Sequence, residues 1–517
     1  MSRPADTSSS THSAAPGAPA LDEGRMLRLL AAAGVGLAGV LGASLLLALL
    51  GGWLTAAVSL VDPADWLRQA VPWLASVLDG FSFLADIGRN AGWALLPAVA
   101  VALLIRRLQG LAGFVAVTAA GAVLLGETGA LVAVAWHTGE GSQAATTPDP
   151  VYDDVLGLTV TAAVGVLVLL PVLSAAARRW LVTTLAVIVV AFGVLAVLSG
   201  FGTLIAVVGG WLVGASWTAV AVVAYRRFAV GPNAEVATDS STGPSDRLRD
   251  RGVDVDTLRD RGAEDPRALQ PAPARDRVPV HGVRGVLLLV LAALLIAGTV
   301  LGIGLLLITP SAAIQRLDEA IIDWIVGTRT PELTAAATII DAMGNTAGIL
   351  AVHLAAIPIS LALTRHRAPS VFLVAALVGE TAIYLGTGAI VGRDRPEVDH
   401  LTMGVPVTSG YPSGHVAASL VTYCGIALLV IVWSRSRWRH AALPVAVLLV
   451  LGVVWARLYW GMHYPTDTLV SLAFGAAWLA VCWWVIRPDR GSGAPPDSGV
   501  RRTAQRGPFD ELRDRAA

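Results

Sequence analysis

Residues 285–308 read GVLLLVLAALLIAGTVLGIGLLLI, without one charged side chain. A helix gains ~1.5 Å per residue, so about 20 apolar residues cross a hydrocarbon core ~30 Å thick. In that core only a helix or a closed barrel satisfies every backbone polar group, and a single unbroken apolar run favours the helix. Comparable runs follow near 347–364, 369–391, 415–434, 441–459 and 467–486. An earlier set lies near 27–49, 91–108, 110–137, 157–177, 181–200 and 203–225. The expected fold is therefore all-α, a polytopic membrane protein with about 12 transmembrane helices in two six-helix units.

Composition agrees. Of 517 residues, 55% are hydrophobic and 14% charged, with mean hydropathy +0.67, against roughly 25% charged in a soluble domain. The 37 basic residues, all Arg, balance 37 acidic ones, so no global basic field points to a nucleic-acid partner. Cys424 and Cys482 both sit in apolar runs, which leaves neither a disulfide framework nor a CxxC metal site. Five regions follow from these shifts in composition. Residues 1–25 read as a disordered tail, 26–227 as the first six-span unit, and 228–282 as a polar linker carrying LRDRG twice, at Leu248–Gly252 and Leu258–Gly262. The second unit is 283–487, and 488–517 form another tail. Arginines flank the short turns at 106–107, 178–179, 226–227, 365–367 and 435–439. If the spans alternate, all of these fall on one side, which is the cytoplasmic one by the positive-inside rule. Both termini then lie inside, and the loops at about 138–156, 392–414 and 460–466 face outside.

The halves read as copies. Gly126-Glu127-Thr128 recurs as Gly379-Glu380-Thr381, and Gly214-Ala215-Ser216-Trp217 as Gly475-Ala476-Ala477-Trp478. The two offsets, 253 and 261 residues, are nearly constant, as expected of an internal duplication, and they raise intramolecular pairing of the two six-helix units as an expectation.

Three segments of the second half place polar residues at one membrane face: Arg393-Asp394-Arg395-Pro396, then Tyr411-Pro412-Ser413-Gly414-His415, then Arg457, His463 and Asp467. Charged groups at membrane depth are costly and mark functional sites. Ser413 and the N–H groups that open the following helix make an anion site, with His415 on its first turn. His463 and Asp467 are four apart, so on a helix they share a face, and the carboxylate can hold one imidazole nitrogen protonated while the other stays free. Arg395 and Arg457 offer planar donors suited to phosphate oxygens. Two histidines and fixed cations around one anion describe phosphoryl transfer without a metal. An interfacial histidine alone would read as a solvated side chain; it is the neighbouring Asp467, Arg457 and Pro-Ser-Gly-His that shift the reading. His400 and Asp399 read as part of a solvated loop, and Glu380, with its apparent twin Glu127, as a packing or hydrogen-bonding residue.

The three segments together resemble the signature of the type 2 phosphatidic acid phosphatase superfamily, whose members include membrane lipid phosphatases, bacterial acid phosphatases and vanadium haloperoxidases. That signature is Lys, six residues, Arg-Pro; then Pro-Ser-Gly-His; then Ser-Arg, five residues, His, three residues, Asp. Arg395-Pro396 ends the first part, Pro412–His415 is the whole second, and Arg457, His463 and Asp467 keep the spacing of the third. The resemblance runs from about 284 to 486 and implies a six-span catalytic domain that needs no cofactor or metal. It implies that His463 attacks phosphorus, that Asp467 orients it, and that His415 protonates the leaving oxygen. Arg395, Arg457, Ser413 and the Gly414 amide would hold the equatorial oxygens. The implied substrate is a lipid phosphomonoester or pyrophosphate at the outer face of the cell membrane, where membrane lipids are the other partners. Two positions depart from the signature. Gly388 stands where the family has Lys, and Ala456 where it has Ser. Arg393 is expected to supply the lost phosphate contact.

The first half has no Pro-Ser-Gly-His, and at a spacing of 261 residues Arg457, His463 and Asp467 fall opposite Ala196, Gly202 and Ala206. The alternatives to a lipid phosphatase are a transporter or lipid-handling scaffold that binds anions without turnover, and a lipid phosphotransferase with the same intermediate.

Overall fold

The computed structural model describes residues 72–137, 150–169, 175–199, 204–225, 282–308, 312–401 and 410–489, with Leu27, Arg28, Ala31 and Gly34. The expected tails, the linker and the span at 27–49 fall almost wholly outside the described residues. Every regular element among the described residues is a helix, and eleven stretches are long and apolar enough to cross a membrane. They correspond in order to the other eleven expected spans. The protein is an all-α, multi-pass membrane protein. It divides into two compact units, Met1–Gln270 and Pro271–Ala517.

In the first unit the helices are α1 (Pro72–Gly92), α2 (Leu95–Ile105), α3 (Gln109–His137), α4 (Pro150–Leu169), α5 (Ala175–Leu198) and α6 (Leu204–Tyr225). In the second they are α7 (Val283–Ile308), α8 (Ala312–Gly327), α9 (Pro331–Gly344), α10 (Thr346–Thr364), α11 (Arg367–Val391), α12 (Gly414–Trp433), α13 (Ala442–Tyr459) and α14 (Pro465–Ile486). One π turn, Leu420–Cys424, widens α12.

Helices α8 and α9 were not expected. They hold Asp318, Glu319, Asp323, Glu332 and Asp341 and are too short to cross a membrane, so a search for spans passes over them. Their boundaries are nonetheless written in the sequence: Thr330 caps α9 by accepting from Leu333 N at 3.2 Å, with Pro331 at the first helical position. Asn345 ends α9 and starts α10 by accepting from Gly348 N at 2.7 Å. Helix α8 is amphipathic. It buries Asp318, Ile322 and Ile325 and exposes Ile314, Leu317 and Trp324 on the adjoining flank.

Membrane helices gain little from hydrophobicity when they pack together, so close contact over small residues holds them. Tyr411 fits the notch at Gly304 on α7 and donates to Val300 O at 2.6 Å, which anchors the start of α12. Trp478 on α14 lies against Gly379 of α11 and donates its indole N–H to Ala376 O at 2.9 Å.

That lock has a double. In the first unit Trp217 lies against Gly121 and donates to Thr118 O at 2.8 Å. The same spacing of 258 residues relates Thr118 to Ala376 and Gly121 to Gly379. It also relates Arg107 to Arg365, which hold left-handed φ of 60° and 61°. Gly214 meets Thr159 as Gly475 meets Ala417, the glycines 261 residues apart and their partners 258. Within the first unit α3 packs on α2, α4 and α6, α4 on α5 and α6, and α1 on α5; in the second α11 packs on α10, α12 and α14, α12 on α13 and α14, and α9 on α13. The expected pairing of Gly126 with Gly379 is corrected by five residues. Gly121 is the position that faces the tryptophan, whereas Gly126 faces Asp153.

Candidate active site

Ser413 stands at the N-cap of α12, and the N–H groups of that first turn have no intrahelical acceptor. The Ser413 amide donates to Ser471 Oγ at 2.7 Å, and Ser471 Oγ donates to Asp467 O at 2.8 Å, so α14 fixes the turn. The Ser413 hydroxyl is left buried without a hydrogen-bond partner. A buried orphan of this kind costs about 1–3 kcal/mol, and an anion seated on the turn would satisfy it. Gly414 packs beneath the ring of Tyr384; a Cβ there would lie 3.0 Å from the ring.

Arg457, in the last turn of α13, is 4% exposed and donates through Nη1 to Asp341 Oδ1 at 2.9 Å. Its Nε is buried and has no partner. Arg395 reaches across to Met462, at 3.4 Å from the carbonyl oxygen. Burial, and then the charge of Arg457, lower the Arg395 pKa, which places the two guanidinium groups within electrostatic range of each other. The structure thus gathers Ser413, Gly414, His415, Arg395, Arg457 and His463 at one end of the second unit.

His463 lies in the turn between α13 and α14, just after Gly461, whose φ of +71° favours glycine. The ring is buried, and Nδ1 lies 2.6 Å from Gly410 O. A carbonyl only accepts, so Nδ1 carries the proton and the neutral ring keeps its lone pair on Nε2. Burial, with the positive charges of Arg457 and Arg395, holds the imidazole well below the usual histidine range, although the Gly410 carbonyl pulls the other way. The free base is the form this site favours.

Two expected arrangements are corrected. Asp467 does not hold His463. Helix α14 begins only at Pro465, so the shared helical face does not exist. Asp467 Oδ2 instead accepts from Tyr464 N at 2.7 Å, and Oδ1 is bound by Arg393. Nor is Arg393 an exposed replacement for the missing Lys. It is 8% exposed and bonded to Asp467, to Asp318 Oδ2 at 2.9 Å and to Thr466 Oγ1 at 2.8 Å, with its guanidinium 4.6 Å from the centre of the Tyr464 ring. At Gly388, where the Lys was expected, a Cβ would lie 3.2 Å from Tyr411 O, so the chain has closed that face of α11.

Sequence reading missed Asp318, Asp341, Ser471 and Gly410. Gly410 takes a bond from His463 and donates its own N–H to Arg393 O at 2.7 Å; a Cβ on it would press against Asp394 O at 3.0 Å. The one available signal was a glycine directly preceding Tyr411. His353 and Glu380 lie in the spans, with His353 Nδ1 3.0 Å from Ile349 O and Glu380 Oε2 accepting from Thr381 at 3.2 Å. His400 Nε2 contacts Pro396 O at 3.1 Å.

Residues 369–490 match the model of the PAP2 superfamily. Over 99 residues the chain is 38% identical to phosphatidylglycerophosphatase B of Escherichia coli (strain K12), and equally to that of Shigella flexneri. The match covers 19% of this chain and 36% of the length of those relatives. A crystal structure of a transmembrane PAP2-type phosphatidylglycerolphosphate phosphatase from Bacillus subtilis aligns with 38% of this chain and 92% of its own, at 20% identity and a TM-score of 0.32. The matched stretch contains all three segments gathered at the site.

Proposed function

We propose that the second unit hydrolyses a lipid phosphomonoester or pyrophosphate at the outer face of the cell membrane. The observation that carries the reading is the pair of buried, unpartnered donors, Ser413 Oγ and Arg457 Nε, in the same site as a histidine whose free Nε2 is fixed by the Gly410 carbonyl. His463 Nε2 attacks phosphorus, an N–P bond forms and the P–O bond to the lipid breaks. His415 gives its proton to the departing oxygen, then takes one from the water that attacks the phosphohistidine. Arg395, Arg457, Ser413 and the Gly414 amide meet the charge that spreads over the equatorial oxygens, so no metal is required. The relatives' names support a phosphatidylglycerol phosphate-like substrate.

The test is phosphate release by the purified full chain from a panel of lipid phosphates, with and without chelator. Chelator-resistant release is expected. Binding without release would favour the transporter or scaffold, and consumption of substrate without free phosphate would favour the transferase.

The pH profile follows from His463. Because its imidazole is held below the ordinary value of 6.5, protonation removes the nucleophile only at lower pH. With the second ionisation of the substrate phosphate allowed for, the acid limb of kcat/KM should turn down only below 6.5, while the alkaline limb reports loss of the proton that His415 must carry as the general acid. An acid limb centred above 6.5 would contradict a neutral His463.

The first unit is best read as an inert copy. The spacing of 258 residues sets Asp154-Val155-Leu156-Gly157 opposite Pro412–His415. Asp154 is already held by Arg89, at 2.9 Å and 2.8 Å. A carboxylate there repels a phosphate, and Gly157 offers no acid.

A further inference from the structure

We propose that Asp318, on the amphipathic helix α8, is a positioning residue for the phosphoryl-transfer site. The inference rests on the phosphatase reading and adds a residue that lies outside the three signature segments. Asp318 is 1% exposed. Its Oδ2 accepts from Arg393 Nη2 at 2.9 Å and from Thr466 Oγ1 at 2.6 Å, and its Oδ1 accepts from Thr466 N at 3.1 Å. One carboxylate therefore grips both the first turn of α14 and the guanidinium bound to Asp467.

The grip reaches the nucleophile by two routes. Through Thr466 and Asp467 it fixes the start of α14, where Asp467 Oδ2 holds the Tyr464 amide next to His463. Through Arg393 it fixes the backbone whose carbonyl accepts from Gly410 N, and the Gly410 carbonyl in turn accepts the His463 Nδ1–H. Arg393 donates through Nη1 to Asp467 and through Nη2 to Asp318, so its guanidinium is held between the two carboxylates by charge-assisted bonds. Asp318 touches no anion site itself. It acts by fixing the direction of the His463 Nε2 lone pair, and small displacements of a nucleophile carry a large cost.

The buried isoleucines of α8 brace the grip. Ile322 and Ile325 pack with Ala456 and Tyr459 of α13, and Arg329, just beyond α8, donates to Tyr459 O at 3.0 Å and 2.8 Å. The carboxylate is thus carried by a helix braced against the one that supplies Arg457.

The test compares Asp318→Ala and Asp318→Asn with the wild-type full chain in detergent, by lipid-phosphate turnover and by binding of orthovanadate and inorganic phosphate. Vanadate adopts the five-coordinate geometry of the transferring phosphorus and depends on where Nε2 stands; tetrahedral phosphate depends on the Arg and Ser donors. The Ala variant should lose kcat about 10–100-fold with KM within about twofold. Its vanadate affinity should fall at least about tenfold while phosphate affinity holds. Asn restores the acceptor for the Thr466 amide without the charge and should fall between Ala and wild type. If the Ala variant fails to fold, the Asn variant carries the same comparison. Equal loss of phosphate and vanadate binding, or wild-type vanadate affinity in the variants, overturns the proposal. The vanadate comparison decides it even if the wild-type chain releases no phosphate, an outcome that would count against the phosphatase reading alone.

Discussion

Replacing His463 with Ala abolishes phosphate release, by about 10³-fold or more, as loss of a covalent nucleophile does where the remaining groups still bind the substrate. Substrate binding should change little, because the oxygens are held by Arg395, Arg457, Ser413 and the Gly414 amide. Wild-type protein quenched in base after mixing with labelled substrate should carry phosphate on nitrogen, stable to alkali and lost in acid, and the variant should carry none. The same variant reports on the first unit. Were that unit a second working copy, His463→Ala would leave about half of the activity; with Asp154 and Gly157 in place of Pro412 and His415, it should leave only background. Residual turnover near half of wild type would sink the inert-copy reading, and full turnover would sink the nucleophile.

The fold was legible because its physics is one-dimensional. An apolar run of span length fixes a helix without reference to its neighbours, and eleven described spans stand where hydropathy puts them. The members of the site were legible for a related reason: polar side chains such as Arg395 and His463 are conspicuous beside runs like 369–391. Their partnerships were not. The spacing of His463 and Asp467 suggested a bond along one helix, but Pro465 delays the start of α14. The histidine turned to a backbone carbonyl 53 residues away in sequence, a contact without side-chain identity and therefore without a signal. Arg393 reads from sequence as a phosphate ligand because its counter-ion Asp318 lies 75 residues earlier, on a helix too polar to count as a span. The repeated motifs were visible, but the register that relates them was not. Glycine and alanine recur by chance in membrane helices, and only the tryptophan that fills the gap over Gly121 or Gly379 tells one glycine from another.

Arg457 should prove to be two residues in one, and a pair of variants separates them. Its Nη1 holds Asp341, which is 6% exposed, while its Nε has no partner. Arg457→Met therefore removes an anion donor and also leaves a carboxylate buried without its cation. Breaking a buried pair on one side costs about 3–5 kcal/mol, most of it the uncompensated charge, so the thermal midpoint in detergent should drop clearly. Adding Asp341→Asn removes that charge, and stability should return to within about 1 kcal/mol of wild type. Turnover should not return with it. Loss of one preorganised donor to a developing phosphoryl charge costs about 10²–10³-fold, and a stable Arg457→Met/Asp341→Asn chain should stay that far below wild type. Asp341→Asn alone keeps the donor and should retain most of the activity. If the double variant regains both stability and turnover, Arg457 serves only to neutralise Asp341, and the orphaned Nε has no part in binding phosphate.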